Sequence, residues 1–260
     1  MLSRELPDPR CWTAVIPAAG RGSRLGYHRP KILYPIAGRP ILDWLLDIFS
    51  PNCLTVVVVV SCEGNIDIAT ELDRRIPGRF EIVVQKTPTG MGDAVALALP
   101  LVRTPHVAVV WGDQVSLRRK SVEECMRLHQ GCAEPDLTCP TVFRDHPYIH
   151  FERDAHNRII GVRQGREGDP LPDHGESDTG FFCFRTVFLR RLLRELRACS
   201  DPGKLTGEFN FLPVILLAAR RGSVLTPQIM QPEETIGVNS KEEVAMIEKF
   251  LLESHVCNPS

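Results

Sequence analysis

Between residues 12 and 130 the chain alternates between short apolar runs and longer stretches in which apolar residues recur every three or four positions. The runs at 12–16, 54–60, 80–84 and 106–111 have strand length. The second is almost entirely β-branched, as suits a strand buried on both faces of a parallel sheet. The intervening stretches have helical spacing. One covers 41–49, with Pro40 suited to its first turn. A second covers 65–75 and stops at Pro77-Gly78. A third covers 93–101 and is entered from a loop at Thr89-Gly90-Met91-Gly92. Ser121-Val122-Glu123-Glu124 has the form of a capping box, predicting a helix from there to about residue 130. Strand–helix alternation of this kind predicts an α/β fold with a doubly wound, mostly parallel sheet.

The pattern changes after residue 136. Short alternating segments at 137–142, 149–153, 158–162 and 180–184 predict an antiparallel set. Helices are expected near 187–198 and 208–220. Ser240-Lys241-Glu242-Glu243 is a second capping-box pattern, opening a last helix to about residue 253. No internal repeat and no long linker interrupts the 260 residues.

Composition narrows the function classes. Hydrophobic residues make up 43% of the chain, and the formal net charge is −1. Such a balance does not suit a nucleic-acid binder working by bulk electrostatics. No apolar run approaches the roughly 18–20 residues of a membrane helix, and the first residues lack the apolar core of a signal peptide. Nine cysteines are scattered without any C-x-x-C pair, which predicts free thiols in a reducing cytoplasm rather than zinc or disulfides. Cys53, Cys183 and Cys199 lie in apolar surroundings and are expected in the core.

Candidate chemistry begins directly after the first strand. Ala18-Ala19-Gly20-Arg21-Gly22-Ser23-Arg24 is a small-residue loop, and Lys31 follows seven residues later behind Pro30. Glycines let backbone N–H groups approach a phosphate without an intervening Cβ, and Arg24 and Lys31 add charge to the same loop. The order is neither the P-loop pattern nor a dinucleotide G-x-G-x-x-G, because Gly20, Gly22 and Gly26 give G-x-G-x-x-x-G.

This segment resembles the signature of the sugar-1-phosphate nucleotidylyltransferases. The matching residues are Ala18 to Leu25, Pro30-Lys31, and the turn Ile36-Ala37-Gly38-Arg39-Pro40. Across the chain the pattern is most similar to the uridylyltransferase domain of bifunctional N-acetylglucosamine-1-phosphate uridylyltransferases, here expected as a stand-alone domain. The resemblance implies a Rossmann-like, glycosyltransferase-A-type fold with an antiparallel acceptor-side subdomain. It implies one domain over 1–260: a nucleotide-binding half at about 11–135, an acceptor-binding half at about 136–238 and a C-terminal helix at 239–260. It implies Arg24 and Lys31 as catalytic cations on the phosphates, and Ala18, Ala19, Gly20, Gly22 and Ser23 as the phosphate loop. Gln85 and Gly90 fall on the positions that hold the nucleobase, and Asp113 with Asn239 on those that hold Mg²⁺.

The acceptor half departs more from the family pattern. Glu176-Ser177-Asp178-Thr179-Gly180 carries Asp178 where Asn is usual, and Ile149 falls at a pocket glycine. Gln164 and Arg166 stand in the region of the usual glutamate-plus-lysine strand. The resemblance implies Asp178, Glu208 and Tyr148 as acceptor-binding residues, and the departures imply that N-acetylglucosamine-1-phosphate is not the preferred acceptor. The expected reaction is Mg²⁺-dependent transfer of NMP from an NTP to a sugar-1-phosphate or similar phosphorylated alcohol, releasing pyrophosphate. Neither nucleic acid nor membrane is an expected partner, and homo-oligomerisation stays open. Two alternatives stay open as well. One is a cytidylyltransferase acting on a phosphonate or phosphorylated polyol. The other is a non-catalytic nucleotide-sensing subunit of the same fold.

Overall fold

In a computed structural model, which describes residues 6–20, 22–131, 133–199 and 202–256, period-two alternation builds the centre of the molecule. Val56, Val58 and Val60 face one side of the sheet, and Val57 and Val59 the other. Ala14 and Ile16 alternate with Val15 in the same way. Both faces must therefore be covered by helices.

The chain runs β1 (Trp12–Pro17), β2 (Pro35–Ile36), β3 (Arg39–Pro40), α1 (Ile41–Asn52), β4 (Thr55–Ser61), α2 (Asn65–Arg75) and β5 (Phe80–Gln85). It continues through α3 (Met91–Ala98), β6 (His106–Val110), α4 (Arg119–His129), β7 (Leu137–Thr138) and β8 (Thr141–Asp145). Then come β9 (Ile149–Arg153), β10 (Ile159–Gln164), β11 (His174–Asp178), β12 (Phe181–Arg185) and α5 (Thr186–Cys199). The chain ends with α6 (Pro213–Arg221), β13 (Val224–Leu225) and α7 (Lys241–Val256). Among the described residues the main sheet has seven strands in the order β13-β7-β12-β6-β1-β4-β5. Its strands are parallel except β12, which runs against β6 and β7. Residues of α1, α2, α4 and α7 pack into the core on one face, and residues of α3, α5 and α6 into the core on the other. The fold is thus the expected α/β, doubly wound and mostly parallel.

The second half differs from its sequence reading in several places. The segment 137–142 is not one strand. Pro140, which has no N–H to give a ladder, separates β7 in the main sheet from β8, which leaves to pair with β11. β12 likewise joins the main sheet. The separate antiparallel pairs are β8–β11 and β9–β10, with β11 and β13 additional to the expected strands. Helix α6 begins at Pro213 rather than near 208, because the backbone of Phe209 pairs instead with Thr89 O and Gly92 N. Helix α4 begins at Arg119, which puts Ser121 inside its first turn and not at its cap. The cap comes from far along the chain, where Glu234 Oε2 accepts the Arg118 N–H at 3.2 Å. At α7 the expected capping box does form. Ser240 Oγ accepts the Glu243 N–H at 3.2 Å, and Glu243 Oε2 accepts the Ser240 N–H at 2.7 Å. Ile149 is buried with Phe151 and Ile159 in the core on the face covered by α3, α5 and α6. Cys199 is exposed, whereas Cys53 and Cys183 are buried as expected.

Candidate active site

The loop after β1 stays tied to the sheet before it turns. Ala18 N–H donates to Val59 O at 2.7 Å, continuing the β1–β4 ladder by one residue. Ala19 follows half-buried and Gly20 is exposed, with open space where a Cβ would stand. Gly20 O accepts the Lys31 N–H at 3.4 Å, so the loop closes on the residue that carries the second cation. Gly22 has a φ of +64°, and a Cβ there would lie 3.0 Å from Lys31 Cβ. Only glycine meets both demands without strain. Ser23 opens a single 3-10 turn, Ser23–Leu25, that places Arg24. Arg21, part of the sequence motif, lies outside the described residues.

Four predicted residues, far apart in sequence, converge here. Lys31 Nζ donates to Asp113 Oδ2 at 2.7 Å and to Asn239 Oδ1 at 2.9 Å. Arg24 donates to the same Asn239 Oδ1 at 3.3 Å. Asp113 follows Gly112 at the end of β6, where a Cβ on Gly112 would stand 2.7 Å from Pro17 O. Its backbone oxygen accepts the Val238 N–H at 3.1 Å, which docks the 237–239 loop beside it. Asn239 is held from behind, since its N–H donates to Glu243 Oε2 at 2.8 Å. A cleft of about 90 Å³ opens above the carboxyl ends of β1 and β6, lined by Ala18, Gly20, Lys31, Met91, Gly112 and Asp113. That is where open α/β sheets bind ligands.

The second predicted group, Gln85 and Gly90, sits at the end of β5 and the start of α3. Gln85 is buried, and its Nε2 donates to Gly90 O and to Asp93 Oδ2, each at 3.1 Å. Gly90 has a φ of +116°, and a Cβ there would meet Phe209 O at 2.7 Å. Phe209 clamps this loop, donating to Thr89 O at 2.7 Å and accepting from Gly92 N–H at 2.9 Å. Asp93 also accepts from Thr89 Oγ1 at 2.6 Å and forms an ion pair with Arg197. Burial works against its charge, but these donors outweigh it and hold the carboxyl below its ordinary range.

The residues expected on the acceptor side are placed differently. Asp178 ends β11, is buried, and accepts the Gly180 N–H at 2.9 Å. Burial raises its pKa to about 6, with that hydrogen bond opposing. Glu208 pairs with Arg166 at 2.8 Å and lies against Gly90. Tyr148 is 60% exposed on the turn before β9, with its ring over Gly165, and makes no hydrogen bond to the other predicted residues.

Sequence reasoning missed Glu167. Its Oε1 accepts from Thr206 Oγ1 at 2.5 Å and Asn210 Nδ2 at 2.9 Å. Its Oε2 accepts the Leu205 and Thr206 N–H groups at 3.0 and 3.3 Å. Burial raises its pKa, yet these four bonds pull it down to about 2. Glu167 thereby folds the 203–210 segment that delivers Phe209 to Gly90. Asp93 and Arg197 were also missed, because their pairing spans two helices. The thiols of Cys53, Cys125, Cys139 and Cys183 are raised by burial, which makes them poor nucleophiles.

Among the described residues no group of three or more His, Cys, Asp or Glu side chains could hold a metal, and no helix is long and apolar enough to cross a membrane. The donor set around Asp113 nevertheless suits one oxygen-liganded cation. Asp113 Oδ2 and Asn239 Oδ1 both point at one positive charge, the Lys31 ammonium. Mg²⁺ needs few protein oxygens when phosphates and water complete its shell.

Fold and cleft together are those of a nucleotidyltransferase. The chain belongs to the MobA-like NTP transferase domain family, whose model matches residues 14–203. It is 29% identical over 246 residues to the bifunctional protein GlmU of Desulfitobacterium hafniense (strain DSM 10664 / DCB-2), covering 91% of this chain and 51% of that protein. It is 27% identical over 244 residues to the bifunctional protein GlmU of Pelotomaculum thermopropionicum, covering 92% and 51%. With that of Sorangium cellulosum it shares 26% identity over 252 residues, covering 94% and 52%. The chain spans about half the length of the curated relatives it matches.

Proposed function

We propose that this chain transfers NMP from an NTP to a sugar-1-phosphate or similar phosphorylated alcohol, releasing pyrophosphate. The observation that carries this reading is the convergence of Lys31, Asp113 and Asn239, with Arg24, beside a glycine loop at the carboxyl end of the sheet. In the reaction an acceptor phosphate oxygen bonds to the α-phosphorus while the α–β bridging P–O bond breaks, and pyrophosphate carries away that oxygen. The acceptor phosphate is already ionised, so no general base is needed. Catalysis then rests on positioning and charge neutralisation.

Each residue has a distinct task. Backbone N–H groups of Ala19, Gly20 and Gly22 bind the polyphosphate. Arg24 binds the β- and γ-phosphates. Lys31 exchanges Asp113 for phosphate oxygens and spans the α-phosphoryl group and the acceptor phosphate. Asp113 and Asn239 are the residues that would hold a divalent ion. When bound, such an ion supplies charge neutralisation between the two phosphates. Gln85 and the Gly90 loop hold the base, and the segment bearing Glu208 borders the acceptor. Asp178 acts on the acceptor side through the turn it fixes against Trp111, whose N–H donates to Gly180 O at 2.9 Å.

The test is pyrophosphate release from UTP, GTP, CTP and ATP, each offered a panel of hexose-, N-acetylhexosamine- and polyol-phosphates. At least one pair should turn over with Mg²⁺ and stop in excess chelator. Full activity under chelation would remove the metal role of Asp113 and Asn239. Nucleotide binding with no turnover on any acceptor would replace the catalytic reading with that of a nucleotide sensor.

A further inference from the structure

The amide of Gln85 is oriented by its surroundings. The three groups around its Nε2 are Gly90 O, Asp93 Oδ2 and Thr89 Oγ1. The first two can only accept hydrogen bonds, and the Thr89 hydroxyl is itself turned toward Asp93 Oδ2. A flipped amide would set its oxygen against a carbonyl and a carboxylate. Gln85 Oε1 therefore faces the other way. It accepts no hydrogen bond from any described residue, and it is not among the sealed interior atoms that lack one. The N–H groups of Gly90 and Met91, at the start of α3, also meet no acceptor among the described residues. Met91 itself lines the cleft. The end of β5 thus offers an open acceptor beside free backbone donors.

Asp93 does not hold this arrangement unaided. Arg197 of α5 pairs with its second carboxylate oxygen and lies over the Phe209 ring, 5.3 Å from the ring centre. Phe209 in turn clamps Gly90 through two backbone hydrogen bonds. One chain of contacts therefore runs from α5 through Asp93 to the Gln85 amide.

We propose that Asp93, anchored by Arg197, is a positioning residue for base recognition, fixing Gln85 Oε1 outward so that the site selects nucleotides whose base carries a ring N–H beside a carbonyl. Uracil, thymine and guanine have that edge. Cytosine and adenine present a ring nitrogen acceptor beside an amino group, which reverses donor and acceptor. In a fixed register the reversed edge leaves both the Gln85 oxygen and the backbone N–H groups facing like partners. The inference rests on the nucleotidyltransferase reading and deepens it by naming the base class.

The experiment compares UTP, GTP, CTP and ATP, by equilibrium titration without acceptor and by kcat/KM with the best acceptor. Wild type should favour UTP or GTP over both CTP and ATP by about tenfold or more. In the Asp93→Asn variant the new amide can donate to Gln85 Oε1 and let the Gln85 amide rotate, so the preference should shrink by about tenfold. A purely structural role would weaken all four nucleotides alike and leave their ratios unchanged, which would overturn the proposal. Arg197→Met gives a second route, since its side chain is 58% exposed and its loss does not open the core. It should blur the preference in part, and Arg197→Lys should restore it. Nucleotide binding without turnover would break the catalytic reading while the binding ratios still test base selection. A wild type that binds nucleotides without this preference overturns the inference alone. A wild type that binds no nucleotide overturns both.

Discussion

Around Lys31 the charged side chains find partners mainly in one another, whereas around Glu167 every carboxylate oxygen is tied to the surrounding scaffold. Arg24 and Lys31 both reach Asn239, and Lys31 also takes Asp113. On the proposed reading these contacts are traded for phosphate oxygens, and none of them is a backbone hydrogen bond. Glu167 instead binds two backbone N–H groups, a hydroxyl and an amide within 205–210. Trading those contacts would release the segment that clamps Gly90. On the proposed reading the first region exchanges its contacts with a ligand, while the second holds shape. A site of this kind keeps its chemistry where charges are self-paired and sets its walls where charges are consumed by the fold.

The sharpest way to break the comparison is Lys31→Ala. Turnover should fall by about 10²–10³, the usual cost of removing one electrostatic contact to a reacting phosphate or oxyanion. Thermal stability should barely move, because the Lys31–Asp113 pair is still partly open to water. The nucleotide-free variant should also bind Mn²⁺ more tightly than wild type, since the ammonium no longer occupies the space between Asp113 and Asn239. Near-normal turnover at saturating substrate would show that the cluster is not exchanged during reaction.

Glu167→Gln should behave in the opposite manner. Replacing a charged acceptor of four hydrogen bonds by an amide should cost about 1–3 kcal/mol of stability. For a chain of this size that corresponds to a melting-temperature loss of roughly 2–4 °C for each kcal/mol. The pH dependence has a definite sign. The folded pKa of about 2 lies below the ordinary 4.5. The stabilisation is therefore fully present above the ordinary value and is lost as pH falls toward about 2. Urea unfolding of the variant should show a flatter acid limb over that window. An unchanged limb would mean the 203–210 segment holds itself without Glu167.

The same division decides what could be read from sequence. The phosphate loop and Lys31 lie within fourteen residues of each other in an order few other structures need. Asp113 and Asn239 each fell on a position of the family pattern. The capping box at Ser240 is wholly local, and it forms. Ser121-Val122-Glu123-Glu124 has the same local form, but Glu234 supplies the cap and the helix starts two residues earlier. Glu167 meets partners 38 to 43 residues away, and Asp93 meets Arg197 across 104 residues. No window of sequence contains such pairs, so neither left a signal. The reading of 137–142 as one strand failed for a local reason that was visible, namely Pro140. The exit of β8 toward β11 depends on pairing partners 29 to 37 residues on.

The smallest expected effect sharpens the comparison most finely, because Asp178 lies between the two regions. It is a buried carboxylate at the end of β11, yet among the described residues the one hydrogen bond it accepts from a neighbour comes from the Gly180 N–H. Burial disfavours its charge, and its pKa rises from 3.8 to about 6. The sign is opposite to that of Glu167. Between about 4 and 6 the folded chain binds a proton that the unfolded chain has released, so this group makes stability fall as pH rises through that window. Above it the penalty is complete. Asp178→Asn keeps the oxygen that accepts the Gly180 N–H and removes the buried charge. It should raise stability at pH 7 by about 1–2 kcal/mol, the order expected for relieving an unfavourable buried charge. The gain should shrink toward zero near pH 4. Unfolding midpoints measured from pH 4 to pH 8 on both proteins decide the matter. A variant less stable at pH 7 would show that the charge has a partner worth more than its burial costs. Turnover belongs in the same experiment. If Asp178 only fixes the turn against Trp111, the variant keeps its kcat and its acceptor KM. A selective rise in acceptor KM, with nucleotide KM unchanged, would instead place its carboxylate against the acceptor and move it into the exchangeable region.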